Sequence, residues 1–214
     1  MYPGVVKSTG LGFGEKLSIG IEPTRLPDRS RYGNHGTYTD ITDVQFPNGL
    51  WVRSFNGPSS NILLPSSKSE LLPKVGFISF WLKFDDHAGA YYVFSNNSDE
   101  LAVFCNTTPE LRLYYNGIGI GDYLLTVADG VWAHYIIVFG LNQTGKIYEN
   151  LVEKASGACG ATRATTGVCR IGSISAGSSN WLKGDMGLFE MQGYIPSAGE
   201  RYKIFETQRH WFGV

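Results

Sequence analysis

The chain has 214 residues, of which 43% are hydrophobic and 17% charged, and its formal net charge is −1. This length suits one large all-β domain with its own core, and the nearly balanced charge excludes strong electrostatic attraction to nucleic acid or anionic lipid. No run of residues is long and apolar enough to span a bilayer, so we expect neither a nucleic-acid partner nor membrane insertion.

The first 16 residues contain Gly4, Gly10, Gly12 and Gly14 and predict an extended arm. The G-x-G-x-G run has no strand pattern before it and no helix pattern after it, so it does not indicate a nucleotide-binding loop. We therefore divide the chain into an arm, residues 1–16, and one domain, residues 17–214. The opening residues also lack the basic and apolar regions of a secretory signal peptide.

Short runs of strand character, separated by turn-forming residues, follow the arm. The clearest is 75–84, in which every second residue from Ile78 to Phe84 is apolar, as a strand with one core-facing side requires. The predicted strands are 17–22, 50–55, 61–64, 75–84, 91–94, 101–105, 111–115, 132–139, 146–152, 168–174 and 187–195.

One helix is predicted, at the C-terminal end. Ser197 and Glu200 have the spacing of a capping box, Tyr202 and Phe205 lie three residues apart, and Gly213 is a suitable stop. Many short strands with a single short helix predict an all-β fold, a two-sheet antiparallel jelly-roll sandwich.

The order of these signals resembles the laminin-G-like jelly rolls of the concanavalin A-like lectin/glucanase superfamily. The resemblance covers most of residues 17–214, and the last five residues of the closing helix region, 209–213, are similar to copies in phage and other virus structural proteins. The motifs that carry it are the D-x-S-x-x-G-N-x-G-T turn at 28–37, the strands FISFWLK at 77–83, WAHYIIVF at 132–139 and KGDMGLFE at 183–190, and the final helix at 197–213.

Catalysis is not indicated by the acidic residues. Glycoside hydrolases on this sandwich place two carboxylates on one strand face, in an E-x-D-x-E pattern, and the sequence has no such triplet. Glu149 and Glu153 are too far apart for it, and the adjacent Asp85 and Asp86 would point to opposite faces. We therefore expect no enzymatic activity.

Calcium is the one cofactor to consider, because domains of this kind often hold Ca²⁺ at a loop edge. Asp28, Asn34 and Asp185 could supply the oxygen ligands. The alternative, which we favour, is that Asp28 and Asn34 cap their own turn through side-chain hydrogen bonds.

Glycan binding requires exposed aromatic rings beside amide or acid groups, because ring faces stack on the C–H surface of a sugar. Adjacent tyrosines on a strand point in opposite directions, so one member of each Tyr-Tyr pair is expected in the core. Trp181 is the ring that we expect to be most exposed. The candidate residues are Trp181, Asn180, Tyr92, Tyr115 and Asn116.

Two interpretations of the oxidation state of the three cysteines remain open. Cys159 and Cys169 flank a loop rich in Gly, Ala and Thr and could bridge it, which would leave Cys105 unpaired. In the other interpretation, all three cysteines are reduced thiols.

The leading hypothesis is a non-catalytic binding or structural module of a virion, such as a capsid decoration or tail protein, exposed on a virion or cell surface. Its expected partners are other structural subunits, including copies of itself. The alternative is a lectin-like module that binds a cell-surface glycan, and a glycoside hydrolase ranks third.

Overall fold

The described residues form fourteen β-strands and one α-helix. The structure, a computed structural model, describes residues 36–64, 73–86, 89–96, 100–107, 110–116, 118–124, 128–160, 167–174 and 176–214. The predicted arm, 1–16, and the predicted strand 17–22 lie outside this part of the chain. The elements are β1 Thr37–Thr39, β2 Ile41–Gln45, β3 Trp51–Asn56, β4 Asn61–Leu63, β5 Val75–Phe84, β6 Tyr91–Asn96, β7 Leu101–Cys105, β8 Glu110–Tyr115, β9 Ile118–Leu124, β10 Ala133–Gly140, β11 Thr144–Glu149, β12 Val152–Ala158, β13 Cys169–Ile171, β14 Lys183–Gln192 and α1 Ala198–Phe212.

The strands build two seven-stranded antiparallel sheets. Sheet A has the order β1-β4-β13-β6-β7-β8-β9, and sheet B has the order β12-β11-β10-β5-β14-β3-β2. Apolar side chains from both inner faces form one core between the sheets, with Phe80, Phe94 and Phe189 at its centre. The predicted jelly-roll sandwich with one C-terminal helix is confirmed.

Helix α1 begins and ends where the sequence predicts. Ser197 accepts a hydrogen bond from the backbone N–H of Glu200, the Glu200 side chain accepts one from the Ser197 backbone, and Gly213 closes the helix with φ of 73°. This capping box satisfies backbone groups that would otherwise be left without partners at the helix start. No helix in the described part of the chain is long and apolar enough to cross a membrane.

The helix covers the outer face of sheet B, which the sequence pattern did not predict. Phe205 and Phe212 of α1 pack against Trp81 on β5, with ring centroids 5.6 and 4.4 Å away. As a result Phe77, Ser79 and Trp81, on the face of β5 that points away from the main core, are fully buried. Both faces of β5 are therefore buried, one in the core between the sheets and the other beneath α1.

Four strands, β1, β2, β9 and β12, were not predicted, because their sequences lack the apolar alternation of a half-buried strand. Every residue of β1 is exposed, as are four of the five in β2, and β12 is an edge strand that is exposed or half-buried along its length. In β9, Gly119 and Gly121 alternate with isoleucine, and such glycines weaken the strand signal. Edge strands gain little from burial, so their sequences are under weaker constraint.

Candidate functional site

The outer face of sheet A carries a group of aromatic rings on three neighbouring strands. Tyr92 on β6 is the register partner of Phe104 on β7, and their ring centroids are 4.7 Å apart. Tyr114 on β8 lies beside them, with its centroid 6.1 Å from that of Phe104. Phe104 and Tyr114 are half-buried, whereas Tyr92 is only 6% exposed. Two ring surfaces are therefore partly accessible, and the third ring supports them.

Charged and amide side chains flank these rings on the same face. Arg112 is the register partner of Phe104, and its guanidinium donates to Glu110 at 3.0 Å. Arg170, on the other side, donates to the amide oxygen of Asn61 at 2.6 Å. Both guanidinium groups are half-buried, and each is held by a neighbour on its own face. Such groups are preorganised donors for hydroxyl or carboxylate oxygens.

Two small residues lie between Arg170 and Tyr114 on this face of the sheet. Arg170 pairs in register with Ser95, Ser95 with Ala102, and Ala102 with Tyr114. Ser95 and Ala102 are fully buried, and their register row has a cation, Arg170, at one end and an aromatic ring, Tyr114, at the other. We refer to Tyr92, Phe104, Tyr114, Arg112 and Arg170 as the aromatic face.

The loop after β13 approaches this face closely. Gly177, with φ of 69°, is so near Arg170 that an added Cβ would lie 2.8 Å from the guanidinium carbon. Further along, the carbonyl of Asn180 accepts a hydrogen bond from the backbone N–H of Tyr92 at 3.0 Å. The positive φ of Gly177 is accessible to glycine at little cost, which lets the loop come this near.

The structure brings together three of the five residues that we predicted for glycan binding. Tyr92 is on the aromatic face, and Asn180 and Trp181 are in the loop beside it, each half-buried. Asn180 adopts φ of 56°, a conformation that asparagine tolerates in turns. The indole N–H of Trp181 is buried without a hydrogen-bond partner, so this residue is less exposed than we expected.

Tyr115 and Asn116 do not belong to the aromatic face, and the prediction for Tyr115 is wrong. The Tyr115 side chain is fully buried in the core, where its hydroxyl donates to the carbonyl of Lys74 at 2.9 Å. The alternation of the strand points its neighbour Tyr114 outward instead. Asn116 follows in the turn with φ of 54°, and its backbone N–H donates to Glu100.

Of the three residues that we predicted as calcium ligands, the structure describes one, Asp185. Asp28 and Asn34 lie outside the described residues. Asp185 is present, and its carboxylate accepts an ion-pair contact from the Lys83 ammonium at 2.6 Å. In the described part of the chain no three His, Cys, Asp or Glu side chains are grouped to hold a metal ion.

All three cysteines are buried thiols, and Cys159 and Cys169 are not joined in a disulfide. The amide of Asn96 donates to the Cys169 sulfur at 3.3 Å. Burial raises the pKa of the Cys105 thiol to about 12, with a smaller contribution from the nearby Asp129 charge. A thiol with so high a pKa is unreactive at neutral pH.

Within the described ranges, Ser79 and His134 are in contact, but their surroundings do not suit nucleophilic catalysis. The hydroxyl of Ser79 and Nε2 of His134 are 2.9 Å apart, and both residues lie buried beneath α1. Nδ1 of His134 has no hydrogen-bond partner, whereas a catalytic histidine is oriented by an acid at that atom. Packing is therefore the role of His134 that the structure supports.

Sequence reasoning missed Phe104, Arg112 and Arg170 as members of the site. The available signal was the alternation in 101–105 and 111–115, which places Phe104, Arg112 and Tyr114 on the opposite side from the apolar core residues. That pattern says nothing about which strands are neighbours, so the grouping across β6, β7 and β8 could not be read from it.

Comparison with protein-family models places residues 55–199 in the family described as the concanavalin A-like lectin/glucanases superfamily, a laminin-G-like group. A search of curated protein sequences gives no match to this chain.

Solved structures share the fold at low sequence identity. The binding domain of Paraclostridial Mosquitocidal Protein 1 has 15% identity and a TM-score of 0.69, and the match covers 90% of this chain and 52% of that one. The binding domain of botulinum neurotoxin DC in complex with SialylT has 13% identity and a TM-score of 0.70, covering 90% and 51%. This chain thus spans about half the length of these toxin binding domains.

A third structure matches over nearly its whole length. Domain 4 of AbnA, an extracellular GH43 arabinanase from Geobacillus stearothermophilus, in complex with arabinotriose, has 16% identity and a TM-score of 0.65. The match covers 87% of this chain and 97% of that one. At these identities the likeness establishes the shared jelly-roll fold.

Proposed function

Because the chain belongs to the laminin-G-like family of the concanavalin A-like lectin/glucanase superfamily, we propose that it is a non-catalytic module that binds saccharides through the aromatic face of sheet A. The observation that carries the proposal is that Phe104 and Tyr114, two partly accessible neighbouring rings, share the outer face of sheet A with the guanidinium groups of Arg112 and Arg170. Ring faces accept the C–H surface of a sugar, and the flanking donors bind its oxygens.

Two further points support this proposal. Two of the similar structures are complexes, one with SialylT and the other with the saccharide arabinotriose. The second of these structures is a domain of almost the same extent as this chain. In addition, α1 covers much of the outer face of sheet B, whereas the rings of Phe104 and Tyr114 on sheet A are only half-buried.

Replacing Phe104 by alanine should weaken saccharide binding by about tenfold or more. A contact between rings contributes about 0.5–1.5 kcal/mol in addition to the free energy of burying the ring surface. Tyr92 and Tyr114 would also lose the ring against which they pack. A glycan array identifies the ligand, and calorimetric titration then compares the variants. Tyr202→Ala is the matched control, because Tyr202 is 58% exposed on α1, away from the aromatic face. Equal affinities of the Phe104 and Tyr202 variants would rule out this face as the binding site.

Absence of catalysis is part of the same proposal. Two of the four acidic residues considered in the sequence form ion pairs: Glu149 with Lys154 at 3.5 Å, and Glu153 with Lys146 at 2.8 Å. A reducing-sugar assay on the array ligand should therefore show no release of new chain ends. Sustained release by the purified chain would contradict the proposal.

A virion structural role, with assembly into copies or with other subunits, stays a second candidate. One observation favours assembly: among the described strands, β1 and β2 each pair on one side only, and nearly all their side chains are exposed. A strand with one unpaired edge can accept a strand from a partner.

Deleting residues 1–16 tests this candidate. If the arm lies across a neighbouring subunit, the shortened chain should lose assembly while the sandwich stays folded. Light scattering reports the assembly state, and circular dichroism reports the fold. Unchanged assembly after the deletion, or a monomeric full-length chain, would count against the structural role.

A further inference from the structure

A row of polar side chains crosses the part of sheet B that lies beyond the end of α1. Lys83 on β5 pairs in register with Asp185 on β14, Asp185 pairs with Ser54 on β3, and Ser54 pairs with Thr42 on β2. All four residues point to the outer face, because the residues adjoining them, such as Leu82 and Met186, lie in the main core.

An aromatic ring stands at one end of this row. Trp132, immediately before β10, is half-buried, and the Lys83 ammonium lies 5.7 Å from its ring centroid. Phe46 meets the ring edge-on at 5.6 Å, and Phe212 of α1 packs against it at 4.8 Å. The indole is thus held on two sides in one orientation, and part of it stays accessible.

The polar groups form an ion pair and a neighbouring group of hydrogen-bonded side chains. The Lys83 and Asp185 side chains are 26% and 13% exposed, with 2.6 Å between ammonium and carboxylate. The Ser54 hydroxyl donates to Asn56 at 2.8 Å, and the Asn56 amide is 3.5 Å from the Thr42 hydroxyl. Asn56 and Thr42 are exposed. Donors and acceptors therefore alternate along the row, next to the ring.

We infer that Trp132, Lys83, Asp185 and Asn56 form a second saccharide-binding site, for an uncharged sugar, on the face of the sandwich opposite to the aromatic face. The inference takes its ligand class from the proposed function but rests on different residues. A sugar ring would stack on Trp132, and its hydroxyls, each both donor and acceptor, would bind the ammonium, the carboxylate and the amide.

The charges determine which saccharide suits this row. Lys83 and Asp185 neutralise each other at 2.6 Å, so the pair offers no net attraction to a carboxylate-bearing sugar. The aromatic face differs, because Arg112 and Arg170 outnumber Glu110 among its described charged groups. A molecule with sites on opposite faces could also bridge two glycan chains, which raises the avidity for a surface that displays many copies.

The test is titration of the full chain with neutral trisaccharides, namely arabinotriose, cellotriose and maltotriose, followed by calorimetry and by NMR of the tryptophan indole N–H signals. Two equivalents of one trisaccharide should bind, and the Trp132 signal should shift. Trp132→Leu should weaken one of the two binding events about tenfold or more, and Asn56→Ala, at an exposed position, should weaken the same event about threefold to fivefold.

Phe104→Ala separates this inference from the proposed function. Loss of one event in the Phe104 variant and of the other in the Asn56 variant supports both sites. A single event that disappears with Phe104→Ala, while the Trp132 signal stays unshifted at millimolar sugar, overturns the second site only. Binding that depends on Trp132 and Asn56 alone supports the second site and leaves the aromatic face to the glycan array. No binding of any of these neutral trisaccharides overturns the second site, whereas the aromatic face is overturned only if the array ligand also binds the Phe104 variant with unchanged affinity.

Discussion

Replacing Trp81 by alanine should lower the free energy of unfolding by about 3–5 kcal/mol, the range for removing a large aromatic side chain from a packed core. Trp81 is fully buried, and its ring stacks on Phe212 at 4.4 Å and on Phe205 at 5.6 Å. Its indole N–H also donates to Gln208 at 2.9 Å. Truncation would therefore leave a cavity between sheet B and α1 and a side-chain amide without its donor.

Urea unfolding of matched variants measures this effect. Trp81→Phe keeps a ring between Phe205 and Phe212 but loses the hydrogen bond to Gln208, so a smaller loss is expected than for alanine. Tyr202→Ala removes an exposed ring from the same helix and should change stability by about 0.5 kcal/mol or less. If Trp81→Ala costs no more than Tyr202→Ala, α1 is not packed on sheet B as described.

Acid should destabilise the fold through His134 before most carboxylates are protonated. Burial lowers the pKa of this histidine to about 3, from 6.5 for an exposed one. Its ring lies between Trp81 at 4.9 Å and Phe205 at 5.7 Å, so a charge there would lose its hydration. The unfolded chain then binds a proton that the folded chain does not, and stability falls as the pH falls from 6.5 towards 3.

The expected size follows from the proton linkage. Between pH 7 and pH 5 the loss from this one group approaches about 2 kcal/mol, because each unit of pKa difference corresponds to about 1.4 kcal/mol. Burial raises the pKa of Glu190, also on the outer face of sheet B, which has the opposite effect on stability as the pH falls. Comparison with variants of His134 therefore separates the contribution of the histidine.

Urea unfolding at pH 7 and pH 5 tests this prediction in three chains. His134→Phe, which retains an aromatic ring beside Trp81, should remove most of the pH dependence in this interval. His134→Gln provides a second uncharged replacement in case the phenylalanine packs poorly. His210→Gln changes an exposed histidine and should keep the pH dependence of the parent. The same slope in the parent and both His134 variants would show that His134 is not the group responsible.

The candidate site could be predicted from the sequence only in part. The sequence predicts one inward and one outward residue in each of the pairs Tyr91-Tyr92 and Tyr114-Tyr115. The alternation in 111–115 is regular and places Tyr114 outward, whereas the alternation in β6 is interrupted. In β6 the register shifts between Tyr92 and Phe94, an irregularity that places both Val93 and Phe94 in the core. Such a bulge reverses the alternation locally, and its position depends on the neighbouring strand.

The fold class, the boundaries of β5 and the limits of α1 could all be predicted from the sequence. These features rest on local physics: a period of two that buries one face of a strand, a capping box at Ser197 and a left-handed glycine at position 213. Each can be read from residues that are near one another in the chain.

Which surfaces are covered, and which side chains meet, depends on contacts between residues that are distant in the chain. The packing of α1 on sheet B turned Trp81 and Phe77 into core residues, and the strand order of sheet A brought Phe104 between Tyr92 and Tyr114. The physical reason is that hydrophobic burial is non-directional. An apolar side chain is stabilised by burial, but which residue it packs against depends on the register and order of strands that are distant in sequence.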